Sequence, residues 1–257
     1  MRAKQAIATT ASIVCSVLIA TAAPAAAAGH GHAIGPDLVK DGYSTDPSYE
    51  EEFWYREDTN LGTATLSKAY GAQSGYGDGA LVLTTSDNDA AKARLMGNHI
   101  AYSTPLANVE KLAYWTYQSS ATARATDDAS FIVRIDVDGD FTTTDDVTAL
   151  VYEPQLNDTE GPNPQQPIAP DVWQYWDATN GAWSVTNKIV CGTFEVDIGG
   201  GPNGTTSPAD VATHCPNAVG IAFGAGIGPG APNAVVATDG FLYGTTSGDF
   251  TWNFGPK

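Results

Sequence analysis

Apolar side chains recur at every second position through much of this chain. In residues 130–154 (SFIVRIDVDGDFTTTDDVTALVYEP), Phe131, Val133, Ile135 and Val137 would share one face of a strand. A turn signal and a second apolar segment follow, so the pattern predicts a β-hairpin. Similar patterns predict further strands at residues 62–70, 79–86, 109–117, 172–178, 182–186, 219–223, 235–243 and 249–254.

Turn signals separate these short strands, and one segment has the features of a helix start. Ser207 would be the N-cap, Pro208 the first helical residue and Asp210 the acid in the first turn. Many short strands with a single helix are typical of an all-β fold. The sequence therefore predicts a two-sheet antiparallel jelly-roll sandwich with one short helix.

The first 28 residues have the features of a secretory signal peptide. Two basic residues precede a largely apolar stretch, and an alanine-rich run offers cleavage sites near Ala28. We therefore expect a secreted, extracellular protein. Residues 29–49 are polar and rich in Gly, Asp and His, which predicts a flexible N-terminus. Residues 50–257 would form a single β-sandwich domain.

Acidic residues dominate the charge of the chain. It contains 12 Lys and Arg against 29 Asp and Glu, a net charge of −17. Nucleic acid and anionic membrane surfaces are poor partners for such a protein. After the signal peptide, no run is long and apolar enough to insert into a membrane. Calcium and neutral glycans fit the charge better, and the oligomeric state stays open.

Two cysteines, Cys191 and Cys215, lie beyond the signal peptide. In an extracellular protein a lone pair predicts a disulfide. Closing a loop of this size would stabilise the fold by roughly 3 kcal/mol in the chain-entropy model. A catalytic thiol is the alternative, but no neighbouring residues indicate an activated thiolate.

The hairpin turn is rich in acids that could bind calcium. Calcium takes six to eight oxygen ligands, and alternate carboxylates on a tight turn can converge on one ion. The spacing differs from an EF-hand loop, which places a Glu at its twelfth position. The alternative is a solvated turn in which Asp and Gly serve backbone geometry. The candidate calcium ligands are Asp136, Asp138, Asp140, Asp145 and Asp146.

A tryptophan-rich segment at residues 172–186 predicts a second hairpin that turns at Asn180-Gly181. Exposed aromatic rings can stack on the apolar faces of sugars, while nearby amides and carboxylates bond the hydroxyls. The alternative is that these rings belong to the core, since a sandwich buries one face of every strand. The candidate ligand-binding residues are Trp173, Gln174, Tyr175, Trp176, Asp177 and Trp183.

The chain resembles a family of secreted bacterial, largely actinobacterial, proteins of jelly-roll type. The resemblance lies in the order and spacing of GDGALVLTTSDNDAAKARLMG, TPLANVEKLAYWTYQ, FIVRIDVDGD with TALVYEP, VWQYWDATNGAW and VVATDGFLYGTTSGDFTWNF. It implies secretion and a two-sheet fold similar to concanavalin and laminin-G domains. It implies no activity, because members of this family mostly have none assigned. The family often ends in an Asp-Phe-Glu run where this chain has Asn253-Phe254-Gly255.

Three functions stay open at this stage. We favour non-catalytic binding of a polysaccharide or cell-surface glycan. A structural extracellular protein without a small ligand is one alternative, and a glycan hydrolase or polysaccharide lyase on the same fold is another. A hydrolase would need two carboxylates, for which Glu153 and Asp177 are one available pair. A lyase would need a base and a cation, for which the candidates are His99, Tyr102, Arg94 and Arg134.

Overall fold

The computed structural model describes residues 30–34, 39–41, 54–97, 104–140, 142–143, 145–159, 161, 164–198 and 206–255. The predicted signal peptide lies outside these residues. In the described part, the protein is mostly β with one short helix, α1 (Pro208–His214), as the sequence predicts. No helix there is long and apolar enough to cross a membrane.

Strands form where the apolar positions alternate. They are β1 (His30–Ile34), β2 (Val39–Asp41), β3 (Trp54–Arg56), β4 (Thr63–Ser67), β5 (Ala80–Thr84), β6 (Ala93–Gly97), β7 (Thr104–Pro105), β8 (Val109–Gln118), β9 (Ser130–Asp136), β10 (Val147–Tyr152), β11 (Trp173–Asp177), β12 (Trp183–Val185), β13 (Ile189–Cys191), β14 (Phe194–Val196), β15 (Val219–Ile227), β16 (Val235–Thr245) and β17 (Gly248–Phe254). Two 3₁₀ turns, Leu106–Asn108 and Pro154–Leu156, lie between strands.

The long strand β16 is the centre of the first sheet. On one side it pairs with β8 along most of its length. On its other side, β5 pairs with its first half and β17 with its second half. The register with β8 shifts between Asp239 and Leu242, where these two halves meet. The strands β11, β4 and β1 extend the sheet outwards.

The second sheet has the order β12-β10-β9-β15-β6-β3-β2, with β7 also paired to β15. Its strands β9 and β10 pair antiparallel, which confirms the hairpin predicted at residues 130–154. The strands β13 and β14 form a separate two-stranded ribbon.

Two strand pairs depart from the predicted antiparallel arrangement. The strand β1 runs parallel to β17, and β2 runs parallel to β3. Both β1 and β2 come from the segment whose composition predicts a flexible N-terminus, yet each adds to one of the large sheets. Edge strands present unpaired backbone N–H and C=O groups, which a short segment can satisfy whatever its side chains.

The two large sheets share one hydrophobic core. Phe131 of the second sheet lies at its centre, with ring centroids 5.1 Å from Phe241 and 5.4 Å from Tyr114 of the first sheet. The predicted inward positions Val133 and Ile135 are fully buried beside it. Aromatic pairs at such distances add to the free energy of burial.

The predicted disulfide and helix cap are both confirmed. Cys191 and Cys215 are bonded, which ties β13 to the end of α1. At the start of α1 the Ser207 hydroxyl accepts from the Asp210 N–H at 3.1 Å, and the Asp210 carboxylate accepts from the Ser207 N–H at 3.0 Å. This reciprocal pair satisfies two N–H groups that a helix start otherwise leaves free.

Candidate functional site

The predicted tryptophan hairpin is wrong, because its two strands belong to different sheets. Strand β11 pairs with β8 in the first sheet, whereas β12 pairs with β10 in the second. The Asn157 side chain holds the crossing point, donating to the Ala182 carbonyl at 3.0 Å and accepting from the Ala182 N–H at 2.8 Å. A Cβ on Gly181 would lie 2.2 Å from the Tyr152 ring. Asn180 and Gly181 therefore lie in a connection between the two sheets instead of in a hairpin turn.

Two of the candidate tryptophans lie in the core. Trp176 and Trp183 are both fully buried. The Trp176 indole N–H donates to the Thr116 hydroxyl at 2.9 Å, and that of Trp183 donates to the Ala178 carbonyl at 2.9 Å. A buried ring with its polar atom satisfied inside the protein offers no surface to a sugar. The structure thus corrects the sequence-based assignment of both residues to a ligand site.

Gln174 is also buried, and its amide is used within the protein. It donates to the Pro167 carbonyl at 2.8 Å and accepts from the Ala169 N–H at 2.7 Å. Its role is to attach the preceding loop to β11, so it is not available to bond a ligand.

The remaining candidates lie on the opposite face of the same strand. Trp173 and Tyr175 are partly exposed, and Asp177 at the strand end is exposed. In the neighbouring strand β8, Tyr117 lies opposite Trp173, and Trp115 lies opposite Tyr175. The ring centroids are 5.7 Å apart in the first pair and 5.3 Å apart in the second.

Further rings complete this surface, which we call the aromatic face. Tyr70 lies 5.2 Å from Tyr117. Under these rings the strands carry the small residues Ala80 and Ala237, which leave room for aromatic side chains to lie on the sheet. The aromatic face consists of Tyr70, Tyr76, Trp115, Tyr117, Trp173 and Tyr175. Sequence reasoning missed four of these six, although Trp115 and Tyr117 share one face of a predicted strand.

A carboxylate lies at each end of the β11 part of the aromatic face. Asp171 accepts from the Tyr117 hydroxyl at 3.3 Å and from the Ser120 N–H at 2.9 Å. Hydrogen bonds hold the pKa of Asp171 below its usual value, and those from Ser120 contribute more than the one from Tyr117. At the other end, Asp177 accepts from a backbone N–H two residues on. Burial, and after it the charge of Asp177, raises the pKa of Tyr175 to about 12.

A buried carboxyl group, Asp239, lies beneath the aromatic face. Its Oδ1 accepts from the Phe254 N–H at 2.8 Å, while its Oδ2 has no partner among the described residues. Burial raises the pKa of Asp239 to about 8. The next residue, Gly240, has a φ of +60°, and a Cβ there would lie 2.9 Å from Trp115 and 3.0 Å from Tyr76. The backbone at this point therefore comes directly under the rings.

Three of the five predicted calcium ligands converge. Asp136, Asp138 and Asp146 each place a carboxylate oxygen within 4.8 Å of the other two. The Gly139 N–H donates to Asp136 at 2.7 Å, and the Asp138 N–H donates to Asp146 at 2.8 Å. In the described part of the chain, no Lys or Arg forms an ion pair with them. The triad could therefore hold a metal ion, whose charge would offset the repulsion between the carboxylates.

The other two predicted ligands do not join this triad. Asp140 accepts from the Thr142 hydroxyl at 2.7 Å and from the Thr142 N–H at 3.0 Å, which lowers its pKa. Asp145 is exposed. It lines the same cavity as Asp138 and Asp146, together with Lys188 and His214, but its carboxylate does not converge with the triad. The structure thus divides the acid-rich turn into a converging triad and two separate acids.

The residues considered for catalysis come from several strands, and Arg94 of β6 and Arg134 of β9 are close enough for their charges to interact. Glu153 follows β10 in the second sheet, whereas Asp177 ends β11 in the first. The Arg134 guanidinium donates to both carboxylate oxygens of Glu57 at 2.6 Å. His99 and Tyr102 lie outside the described residues.

No protein-family model matches this chain, and no curated protein matches it. Among solved structures, the chain is similar to the enzymatically active domain of tailspike protein 4 from bacteriophage CBA120. The TM-score is 0.37 and the sequence identity 11%, over 75% of this chain and 19% of that one. The chain thus spans about a fifth of the tailspike domain's length, and at this TM-score the similarity carries no inference about function.

Proposed function

We propose that this protein is a secreted, non-catalytic carbohydrate-binding protein that binds a polysaccharide or cell-surface glycan on the aromatic face. The observation that supports this proposal is the arrangement of Trp173, Tyr175 and Tyr117. Their rings are partly exposed and lie side by side on the outer side of the first sheet. Rings that stabilise the core of this protein are instead fully buried, as Trp176 and Trp183 are.

The spacing of the rings favours an extended ligand. Trp173 and Tyr175 are two residues apart on a strand, which separates their positions by about 7 Å. On the neighbouring strand Tyr117 is partly exposed beside Trp173, whereas Trp115 is buried beside Tyr175. A ligand that contacts both Trp173 and Tyr175 must therefore extend along the strand, as a chain of sugar units does. The Trp173 indole N–H donates to the Tyr70 carbonyl and the Tyr117 hydroxyl donates to Asp171, both at 3.3 Å, so these two rings would contribute their apolar surfaces to a ligand.

Replacing Trp173 or Tyr175 by Ala is expected to weaken binding of the recognised polysaccharide by about fivefold or more, since central aromatic contacts of a binding site can contribute about 1 kcal/mol or more. Binding would be found on a glycan array and measured by titration calorimetry. The matched control is Phe194→Ala, which removes a partly exposed ring from the separate ribbon.

Two results would contradict the proposal. One is wild-type protein that binds no polysaccharide in a broad panel. The other is binding that does not change in either variant. Assays for new reducing ends and for unsaturated products in the same samples would distinguish binding from hydrolysis or elimination.

The remaining features of the proposal follow from the sequence and the shared core. We infer that residues 1–28 direct secretion and are removed near Ala28. We also infer that the two large sheets form a jelly-roll sandwich of the concanavalin and laminin-G type. The single core to which both sheets contribute supports this arrangement.

We propose calcium as the ion for Asp136, Asp138 and Asp146. Carboxylates are hard oxygen ligands, and calcium accepts irregular sets of them completed by water or carbonyl oxygens. The Asp146 Oδ1 atom is buried without a partner among the described residues, so it is free to bind an ion.

Calcium is expected to raise the melting temperature by several degrees over the chelator-treated protein. An ion at 100 times its Kd stabilises by about 2.7 kcal/mol, which corresponds to roughly 5–10 °C for a protein of this size. Asp146→Asn should abolish the shift, whereas Asp145→Asn, which changes an exposed acid outside the triad, should retain it. A melting temperature that is the same with calcium and with chelator would contradict the assignment.

A further inference from the structure

We infer that the aromatic face selects glycans that carry free amino groups and disfavours those that carry carboxylate or sulfate groups. This inference rests on the proposed function, because it names the class of glycan bound at the same site. It follows from the exposed carboxylates beside the rings, which give this surface a negative charge that aromatic side chains alone would lack.

The two carboxylates of this face lie along the path that an extended ligand would take. Asp177 occupies the same face of β11 as Trp173 and Tyr175, since residues two apart on a strand point the same way. Asp171 is held beside the other end by the bond from the Tyr117 hydroxyl. A glycan that covers the rings between them would bring its substituents close to both acids.

Both carboxylates can receive a ligand cation. Asp171 and Asp177 are exposed. Asp171 accepts hydrogen bonds from Tyr117 and from the backbone and side chain of Ser120, whereas Asp177 uses its Oδ1 atom for a bond from a backbone N–H. Neither forms an ion pair with a Lys or Arg in the described part of the chain. An ammonium group on the glycan could therefore approach the exposed carboxylate of Asp171 and the other oxygen of Asp177.

Two lysines in or beside the first sheet already form ion pairs with other acids. Lys68 forms an ion pair with Asp78, and Lys111 forms one with Asp249 at 2.7 Å. They leave the negative charge of Asp171 and Asp177 unbalanced, and the net charge of −17 for the chain adds to it. A uronate or sulfate would meet repulsion on this surface, whereas an ammonium group would be attracted.

The test compares glucosamine oligomers with their N-acetylated counterparts of the same length and with glucuronate-containing oligomers. Titration calorimetry would be done at low and at high NaCl concentration. We expect the glucosamine oligomer to bind several-fold more tightly than the acetylated one at low salt and the glucuronate oligomer to bind most weakly. The difference should shrink in salt, because about 0.1 M salt screens exposed charges beyond roughly 10 Å.

Asp171→Asn and Asp177→Asn should each reduce the preference for the amine by about two- to fivefold, the range of an exposed charge pair. Asn suits position 171, where φ is +59°, and its side-chain oxygen can still accept from Ser120. The control is Asp197→Asn, which removes one exposed acid from the separate β13–β14 ribbon.

Each outcome distinguishes the inference from the proposed function. Equal binding of amine and acetylated oligomers, still dependent on Trp173, would overturn the inference and leave the proposed function standing. An equal loss of preference in the Asp197→Asn control would also overturn it, because net charge alone would then explain the effect. If none of the oligomers bound and the panel yielded no other ligand, both would fail.

Discussion

Trp176→Ala and Trp183→Ala are each expected to lower the free energy of unfolding by about 3–5 kcal/mol, the usual cost of truncating a large buried ring. Both side chains are fully buried in the core that the two sheets share. Trp173→Ala should cost much less, because that ring is partly exposed on the outer face. The three variants remove the same side chain, so the comparison isolates burial from residue type.

Part of this effect comes from buried hydrogen bonds. The Thr116 hydroxyl accepts from Trp176 and donates to Asp128 at 2.6 Å, and all three side chains are buried. Trp176→Phe keeps an aromatic ring but removes the N–H donor, so it should fall between wild type and Trp176→Ala. An unpaired buried polar group costs about 1–3 kcal/mol.

Urea unfolding followed by far-UV circular dichroism would measure these differences. If an Ala variant does not fold, Trp173→Phe, Trp176→Phe and Trp183→Phe supply the ranking. Losses of stability that are equal at positions 173, 176 and 183 would contradict the distinction between core and outer face.

Stability is expected to fall as the pH rises from about 4 to about 8, because two buried carboxyl groups retain their protons in the folded protein. Burial raises the pKa of Asp128 to about 6 and that of Asp239 to about 8. In the unfolded chain both would titrate near pH 3.9. Over this range the folded state binds more protons than the unfolded state, so raising the pH favours unfolding.

Asp239→Asn should flatten this dependence between about pH 6 and 8, because the variant has no proton to lose there. Asp128→Asn should roughly halve the slope between about pH 4 and 6, where Asp239 still contributes, and should leave the slope between pH 6 and 8 unchanged, so the two variants separate the two groups. Asp197→Asn, at an exposed position, should leave the slope unchanged. The measurement is the urea midpoint at unit intervals from pH 4 to 9. A wild-type slope in Asp239→Asn between pH 6 and 8 would contradict the role of Asp239.

The position of Asp239 explains why an acid is buried there. It lies where β16 exchanges β5 for β17 as its partner, and its carboxyl oxygen accepts from the N–H of Phe254 near the end of β17. The acid therefore supplies a hydrogen-bond acceptor at a break in the strand pairing. This break depends on pairing between strands that are distant in the chain, so the local alternation of apolar residues does not predict it.

Several features could be predicted because they depend on neighbours in the chain. The period-two pattern around Phe131 and Val133 identifies a strand and its buried face, since successive side chains of a strand alternate. Ser207 and Asp210 identify the helix start because both partners of the cap lie within one turn. Cys191 and Cys215 identify each other because they are the two cysteines that lie beyond the predicted signal peptide.

The sequence by itself thus determined most of the longer strands, the helix, the disulfide and the fact that Trp173 and Trp176 point to opposite faces. Only the tertiary structure decided which of those faces is core, because alternation has the same period whichever side is buried. It also decided that β11 and β12 belong to different sheets and that Asp146 joins Asp136 and Asp138. These outcomes depend on contacts between residues that are distant in the chain, and local patterns do not encode the register of such contacts.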